Sequence, residues 1–160
     1  MRLKLLNILV LSIVLLFMGC VTNNDAILKT RVDTSKKVLI ISKIKLGEDE
    51  GTVDGEWFKV NIGKLPNIQI VDVRSPNEFK IGHLKGAINI EAEKLKAKEL
   101  YVKLPKDKTI VFNCISGGRA MEAWMKLKDA KLDISVIYYF DANLDCKGTK
   151  CEIDVNEPLG

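Results

Sequence analysis

The stretch Cys114-Ile115-Ser116-Gly117-Gly118-Arg119 follows an apolar run that ends at Val111-Phe112, and it opens an amphipathic segment. This order predicts a loop that joins a buried strand to a helix. The two glycines allow a turn in which several backbone N–H groups point at one spot, and the helix adds its positive end. Such a loop holds an anion and stabilises a thiolate, the nucleophilic form of cysteine. We therefore interpret Cys114 as a reactive thiol and residues 115–119 as its binding loop, to which Arg119 adds a permanent positive charge.

Short β-branched runs alternate with helical patterns from residue 37 onward, which predicts strands joined by crossover helices around a mostly parallel sheet. The fold class is therefore α/β, in a single domain. The predicted elements are strands at Val38–Ile44, Trp57–Ile62 and Ile68–Val73, a short helix from Ser75-Pro76 to about Gly82, a strand at Ala87–Ile90, a helix at Glu91–Leu100, a strand at Thr109–Phe112, a helix after the loop, and a strand at Ile134–Phe140.

Two further expectations concern packing. The first two strands are predicted to pair across the acidic turn Glu48–Gly55. The helix after the loop carries Met121, Trp124, Met125 and Leu127, a stripe that we interpret as core and not as a cofactor site.

Two blocks of the sequence resemble signatures of the rhodanese family of sulfurtransferase domains. The first is Asp72-Val73-Arg74 with the later Gly82-His83-Leu84-Lys85-Gly86-Ala87, and the second is the Cys114 loop with its strand. The resemblance spans roughly Ile68 to Phe140. It implies the rhodanese-like α/β fold, with a mostly parallel central sheet flanked by helices.

The resemblance also implies a reaction. In this family a cysteine thiolate takes a sulfane sulfur from a donor such as thiosulfate, forms a persulfide, and yields the sulfur to a thiophilic acceptor, which is ping-pong catalysis. By this resemblance Cys114 is catalytic, the donor is a small sulfur-containing anion, the acceptor is an unidentified thiol or protein, and no metal or organic cofactor is required. The loop is one residue shorter than that of the related dual-specificity phosphatases of the cell-cycle type. Its length favours sulfur chemistry over phosphoester hydrolysis or the reduction of an oxyanion.

Two departures from the family pattern keep an alternative open. Ile115 stands where active relatives often carry a basic or polar residue, so we expect thiosulfate to be a poor donor. The glycine pair and helix that usually follow the last core strand are replaced by Asp141-Ala142-Asn143-Leu144-Asp145 and a cysteine pair. We expect this segment to border the active site. The alternative is a non-catalytic binding or redox-sensing module with the same fold.

The remaining polar residues of the two blocks are expected to support the site and not to react. Asp72 and Arg74 are predicted to form a scaffold ion pair, with Glu78 as a further partner of Arg74 one helical turn away. His83 is the single histidine, and we interpret it as stabilising a turn, because persulfide chemistry needs no base once the thiol is ionised. Arg119 is expected in the anion cradle, in preference to a simple pair with an acidic neighbour.

The first residues resemble the secretory signal of a bacterial lipoprotein. Arg2 and Lys4 precede the apolar run Leu5–Met18, and Leu16-Phe17-Met18-Gly19-Cys20 resembles a lipobox, whose cysteine receives a lipid such as palmitate. The predicted boundaries are 1–19 for the signal peptide, 20–37 for lipidated Cys20 and a polar tether, and 38–160 for the rhodanese-like domain. This interpretation anchors the domain to a membrane through lipid, on the periplasmic side and outside the cytoplasm. An uncleaved anchor and ordinary secretion are the alternatives.

The cysteine count fits an oxidising compartment. Of four cysteines, lipidation of Cys20 leaves three, and such a compartment tends to pair two of them. Cys146 and Cys151 flank Lys147-Gly148-Thr149-Lys150, a polar segment that can bring them together as a small loop or hairpin. We predict this structural disulfide, which leaves Cys114 free. A Cys114–Cys146 bridge, and a relay in which Cys146 accepts sulfur, are the alternatives.

Charge and length exclude other classes of function. The formal net charge is +4 over 160 residues, it falls by two when Arg2 and Lys4 are removed, and lysines and acids are interspersed. Nothing in this distribution indicates a nucleic-acid partner. The length after the signal peptide suits one domain with its own core, which we expect to be a monomer.

Overall fold

The computed structural model describes residues 44–158. The predicted signal peptide, lipidated Cys20, the tether and the predicted strand at Val38–Ile44, apart from Ile44, lie outside the described residues. The described elements, in chain order, are α1 (Gly55–Asn61), β1 (Ile68–Asp72), α2 (Pro76–Ile81), β2 (Ile88–Asn89), α3 (Ala97–Lys103), β3 (Thr109–Asn113), α4 (Gly118–Asp129), β4 (Ile137–Tyr139), β5 (Ala142–Lys147) and β6 (Lys150–Val155).

Four strands form a parallel sheet in the order β2-β1-β3-β4. Every residue of β3 is buried, as expected for a central strand that is covered on both faces. The predicted α/β class with a mostly parallel sheet is confirmed, and the described residues all belong to one compact unit.

The two faces of the sheet are covered differently. Ile110 and Phe112 of β3 point into a core that α3 and α4 close with Leu100, Trp124 and Leu127. Val111 lies on the opposite face and packs in a second core. This core combines buried residues of β1, α1, the β5–β6 hairpin and the connecting segments: Val53, Phe58, Ile70, Leu84, Phe140, Ala142 and Leu144. The hairpin therefore takes the place of a helix on one face of the sheet.

The parallel arrangement gathers the sequence motifs at one edge. Asp72 at the end of β1 is in register with Asn113 at the end of β3. Because parallel strands end at the same edge of a sheet, the residues that follow them, Arg74 and Cys114, lie in the same region.

The predicted strand at Trp57–Ile62 is wrong. The segment is helix α1, and Asp54 caps it by accepting a 2.8 Å hydrogen bond from the Trp57 backbone N–H. The pairing predicted for this segment across the acidic turn is wrong for the same reason, and among the described residues Leu46 and Val53 form an isolated antiparallel bridge there. The Asp54 carboxylate, three residues before Trp57, starts a helix at this position, and the helix buries only Phe58.

The helix predicted at Glu91–Leu100 begins later, at Ala97. The Ala92 backbone N–H donates to the Val73 carbonyl at 3.1 Å, and the Lys126 ammonium donates to the carbonyls of Ala92 at 2.7 Å and Leu95 at 3.1 Å. These tertiary contacts hold the segment as a loop, because they use backbone groups that a helix would need.

Helix α4 buries most of the predicted stripe. Trp124 and Leu127 are buried and Met121 is partly buried, as expected, but the Met125 side chain is 44% exposed. Within residues 44–158, no helix has the length and apolar character needed to cross a membrane.

Candidate functional site

The Cys114 loop leaves the central strand β3 and turns directly into α4. Gly117 has φ 85°, a left-handed conformation that glycine adopts without strain, and it occupies the N-cap position of the helix. No side chain caps this helix, so its first N–H groups face the loop, where negative charge is stabilised. Cys114 is a free thiol that is 1% exposed, whereas Ile115, Ser116 and Gly118 are exposed.

Arg119 is paired with Glu78, a contact that the sequence did not indicate. Its two terminal nitrogens donate to the Glu78 carboxylate at 2.7 and 3.1 Å. Arg119, with help from Ser75, lowers the pKa of Glu78 to about 2, although burial opposes the shift. In return Glu78 raises the pKa of Arg119, and the nearby Cys114 contributes a smaller part. The expectation that Glu78 pairs with Arg74 is therefore wrong, and the charge of Arg119 is compensated.

Asp72 and Arg74 form a buried ion pair. Arg74 donates to both carboxylate oxygens of Asp72, at 2.6 to 3.1 Å, and to the Gly82 carbonyl at 2.7 Å. The two side chains are 0% and 9% exposed. Hydrogen bonding to Asp72 raises the pKa of Arg74 in spite of its burial. The pair thus ties the end of β1 to the end of α2 and is almost fully shielded from solvent.

His83 lies where α2 meets the hairpin. Its Nδ1 is 2.8 Å from the Phe79 carbonyl, and its ring stacks on the Phe79 ring at 3.9 Å. A carbonyl only accepts, so Nδ1 carries the hydrogen in this contact. The His83 backbone N–H donates to the Gly148 carbonyl at the hairpin tip, at 2.8 Å. The histidine therefore holds a turn.

The β5–β6 hairpin (142–155) borders the Cys114 loop. The Leu144 backbone N–H donates to the Ile115 carbonyl at 2.8 Å, and Asn156 Nδ2 donates to the Ser116 carbonyl at 3.2 Å. Asn156 Nδ2 also donates to Asp141 Oδ1 at 2.5 Å. A Cβ at Gly117 would lie 1.9 Å from that same oxygen. The segment that departs from the family pattern thus supports the loop directly.

A disulfide joins Cys146 to Cys151 across the hairpin, where the two residues lie opposite each other in the antiparallel ladder. Gly148, with φ 59°, provides the tight turn between the strands. The bridge lies on the inner face: Cys151 Sγ is 3.5 Å from the His83 carbonyl, and a Cβ at Gly82 would lie 2.0 Å from the Cys146 carbonyl oxygen. The hairpin therefore contacts the site at two places, the Cys114 loop through Leu144 and the turn at His83 through Gly148.

Sequence reasoning missed or misplaced several residues of the site. Glu78 was expected beside Arg74 and not beside Arg119, since its sequence signals are local: the spacing from Arg74 and the capping box of α2 with Ser75. Asn156 lies beyond both motif blocks and gave none. Asn113, directly before Cys114, is fully buried, and its side-chain nitrogen and oxygen have no hydrogen-bond partner among residues 44–158. Among residues 44–158, no group of three or more His, Cys, Asp or Glu side chains is placed to hold a metal ion.

The comparison with protein families matches residues 54–142, more than half of the chain, to the rhodanese-like domain. The chain belongs to the rhodanese-like domain family. The match begins just before α1 and ends at the first residue of β5, so the rest of the hairpin lies outside it.

The rhodanese-like chain is also similar to individual proteins over part of its length. It is 38% identical over 63 residues to the probable adenylyltransferase/sulfurtransferase MoeZ of Mycobacterium tuberculosis, covering 39% of the chain and 16% of that protein. It is also 38% identical over 78 residues to the Bacillus subtilis protein YqhL, covering 47% and 58%. A rhodanese-related protein from Thermoplasma volcanium has a structure that matches with a TM-score of 0.44 and 23% identity, over 56% of this chain and 82% of that one. The chain thus spans less than two thirds of either curated relative.

Proposed function

We propose that this rhodanese-like domain is a sulfurtransferase that carries a sulfane sulfur as a persulfide on Cys114. The observation that supports this most is the position of the one free thiol among the described residues. It lies between the carboxyl end of the central parallel strand and an uncapped helix N-terminus, next to a left-handed Gly117. That surrounding stabilises negative charge on sulfur at the point where a small molecule can approach the sheet edge.

The reaction has two balanced steps. The Cys114 thiolate attacks the outer sulfur of a donor such as thiosulfate, a sulfur–sulfur bond forms, and sulfite leaves with the electron pair of the broken bond. The thiolate of an acceptor then attacks the terminal sulfur of the persulfide, and Cys114 recovers its thiolate. The loop N–H groups stabilise the negative charge of the thiolate and of the persulfide in turn, with no reorganisation between the steps.

The surroundings of the loop disfavour thiosulfate as the fastest donor. Ile115 offers no charge or hydrogen bond to a dianion, and its side chain is 49% exposed. Arg119 already shares both terminal nitrogens with Glu78. We expect thiosulfate to load Cys114 slowly and polysulfide, whose two negative charges lie at opposite ends of a longer sulfur chain, to load it faster.

Intact-mass analysis of the full-length protein, purified in detergent, tests the proposal. Exposure to thiosulfate or to polysulfide should add one sulfur atom, and cyanide should remove it. Cys114→Ser should abolish the gain, whereas Ser135→Ala, a change of an exposed serine in the loop before β4, should keep it. A protein that gains no sulfur from either donor, although Cys114 reacts with an alkylating reagent, would contradict the persulfide proposal.

A second candidate function is a non-catalytic binding or redox-sensing module. The observation in its favour is that Cys114 is 1% exposed, since a buried cysteine often acts as a small apolar residue. The mass experiment separates the two, because a module of this kind acquires no cyanide-reversible sulfur.

We also propose, from the sequence alone, that Cys20 carries a lipid and that the domain lies outside the cytoplasm. The support is the charged start, the apolar run and the small residue before Cys20. Metabolic labelling with palmitate in a bacterial host should mark the wild-type protein and not Cys20→Ala. Equal labelling of the two would overturn the lipid anchor.

A further inference from the structure

A groove runs between the Cys114 loop and the outer face of the hairpin, with a volume of about 640 Å³. We call it the acidic groove. Its lining residues are Ile115, Ser116, Asn143, Leu144, Asp145, Glu152, Ile153 and Asp154. Ile115 and Ser116, which directly follow Cys114 in the chain, form one wall, so a molecule in the groove lies beside the Cys114 loop.

The hairpin wall of the groove carries three carboxylates, and the two lysines of the next rung on that face, Lys147 and Lys150, lie outside the groove lining. Asp145 lies directly opposite Glu152 in the ladder, and Asp154 lies opposite Asn143 on the neighbouring rung of the same face. Like charges that face each other across a ladder are destabilising. In the described part of the chain none of these three carboxylates forms an ion pair, and no Lys or Arg lines the groove.

The loop wall adds no positive charge to balance them. The Arg119 guanidinium is held by Glu78 at 2.7 Å, and the Asp141 carboxylate lies against Gly117. The exposed Ile115, the residue after Cys114, supplies an apolar contact on the loop wall of the groove. The groove therefore suits a cationic partner with an apolar residue near its reactive group, and it repels small anions.

We propose that the acidic groove binds a basic, extended segment of an acceptor protein and brings the acceptor's cysteine to the Cys114 persulfide. The two rungs of polar side chains lie two residues apart along the strands, about 7 Å. That is also the spacing of alternate side chains in an extended peptide, so lysines at alternate positions match the carboxylates. This inference rests on the proposed sulfurtransferase function.

The transfer needs no further reactant. The acceptor thiolate attacks the outer sulfur of the persulfide, a new sulfur–sulfur bond forms on the acceptor, and the electron pair of the broken bond returns to Cys114. The groove contributes by raising the local concentration of the basic segment and fixing its direction.

Three synthetic peptides of equal length test the proposal, each with one cysteine flanked at alternate positions by lysine, glutamate or serine. The protein is the full chain with Cys20→Ser, so that Cys114 is the one free cysteine when the disulfide is intact. Its persulfide is prepared with polysulfide, and the rate of sulfur loss to each peptide is followed by mass. At low ionic strength the lysine peptide should react roughly tenfold faster than the serine peptide. Added salt should reduce the ratio of the two rates.

A matched pair of triple variants separates the groove from the overall charge. Asp145→Asn with Glu152→Gln and Asp154→Asn should reduce the preference to less than about twofold. Asp107→Asn with Asp129→Asn and Glu56→Gln removes the same charge at exposed positions outside the groove and should keep it. Equal rates for the three peptides, or equal loss of preference in both variants, would overturn the proposal.

A binding measurement keeps this test independent of persulfide chemistry. Fluorescence anisotropy of a labelled lysine peptide, with serine in place of its cysteine, is measured against the Cys114→Ser protein. Binding that weakens in the groove variant and not in the control variant supports the docking site even if Cys114 never loads. Sulfur loading without any peptide preference would contradict the docking site alone.

Discussion

Two arginine–carboxylate pairs stand at the carboxyl edge of the parallel sheet, and their surroundings differ. The Arg74 and Asp72 side chains are 9% and 0% exposed, and Arg74 also binds the Gly82 carbonyl. The Arg119 and Glu78 side chains are 37% and 35% exposed. Burial makes the first pair part of the scaffold, because neither charge can find water if its partner is lost. The second pair remains partly hydrated, so its role is to set the charge at the loop.

Removal of the buried partner should have the largest effect. Asp72→Asn leaves Arg74 buried without its counter-ion, and we expect a loss of about 3–5 kcal/mol in the free energy of unfolding. Urea denaturation followed by circular dichroism measures it. Glu78→Gln is the matched change in the second pair and should cost less than about 1 kcal/mol. Similar losses from the two variants would remove the distinction between the pairs.

A substitution at Gly117 in the Cys114 loop should destabilise the protein more than a substitution in the exposed Arg119–Glu78 pair. Gly117→Ala places a Cβ 1.9 Å from Asp141 Oδ1 at a residue with φ 85°, which should cost about 1–3 kcal/mol and slow sulfur loading. Gly118→Ala meets nothing within 4 Å and lies in the first turn of α4, so it should be neutral or slightly stabilising. Thermal unfolding of both variants gives the comparison, and equal behaviour would show that the loop has no strict backbone requirement.

The exposed pair should control the choice of donor. Glu78→Gln keeps a side chain that can complete the capping box with Ser75, but it releases the charge of Arg119. Thiosulfate loading of Cys114 should then rise roughly fivefold at low salt, with less gain at high salt. Glu122→Gln, an exposed change on the same helix as Arg119, is the control and should leave the rate unchanged. An unchanged rate in Glu78→Gln would mean that Arg119 does not act on the donor.

The smallest effect is expected from pH. The pKa of Glu78 is lowered from 4.5 to about 2. A lowered pKa means that the contribution to stability is fully present above 4.5 and is lost as the pH falls through about 2. The difference in unfolding free energy between the wild type and Glu78→Gln should therefore be constant from pH 5 to 8 and shrink below 4.5. If this difference in unfolding free energy changed between pH 6 and 8, the titrating group would not be Glu78.

The parts of the fold that were predictable have local causes. Ile68–Asp72 and Thr109–Asn113 are short apolar runs that suit a buried parallel strand, and Ser75-Pro76 starts a helix by capping. Trp57–Ile62 was expected as a strand because of its apolar run. Capping by Asp54 favours a helix at this position and outweighs that signal. Local patterns compete at such positions, and the tertiary core decides between them.

The candidate site was predictable only where its chemistry is contiguous. The Cys114 loop carries its thiol, glycines and helix start in consecutive residues. The Arg119–Glu78 pair joins residues that are 41 positions apart, and no spacing rule indicates which acid an arginine will meet. The support of Ser116 by Asn156 likewise depends on how the hairpin packs, which the sequence indicated only as a position at the sheet edge.

The position of the hairpin has a consequence for how this domain can change. Its two strands pair with each other in a separate two-stranded sheet, and they form one continuous stretch of chain that starts where the family match ends. The wall that we propose as a docking surface is thus encoded apart from the Cys114 loop. On that proposal, substitutions on its outer face alter which protein is recognised without touching Cys114, so partner choice and reactivity can evolve, or be engineered, one at a time.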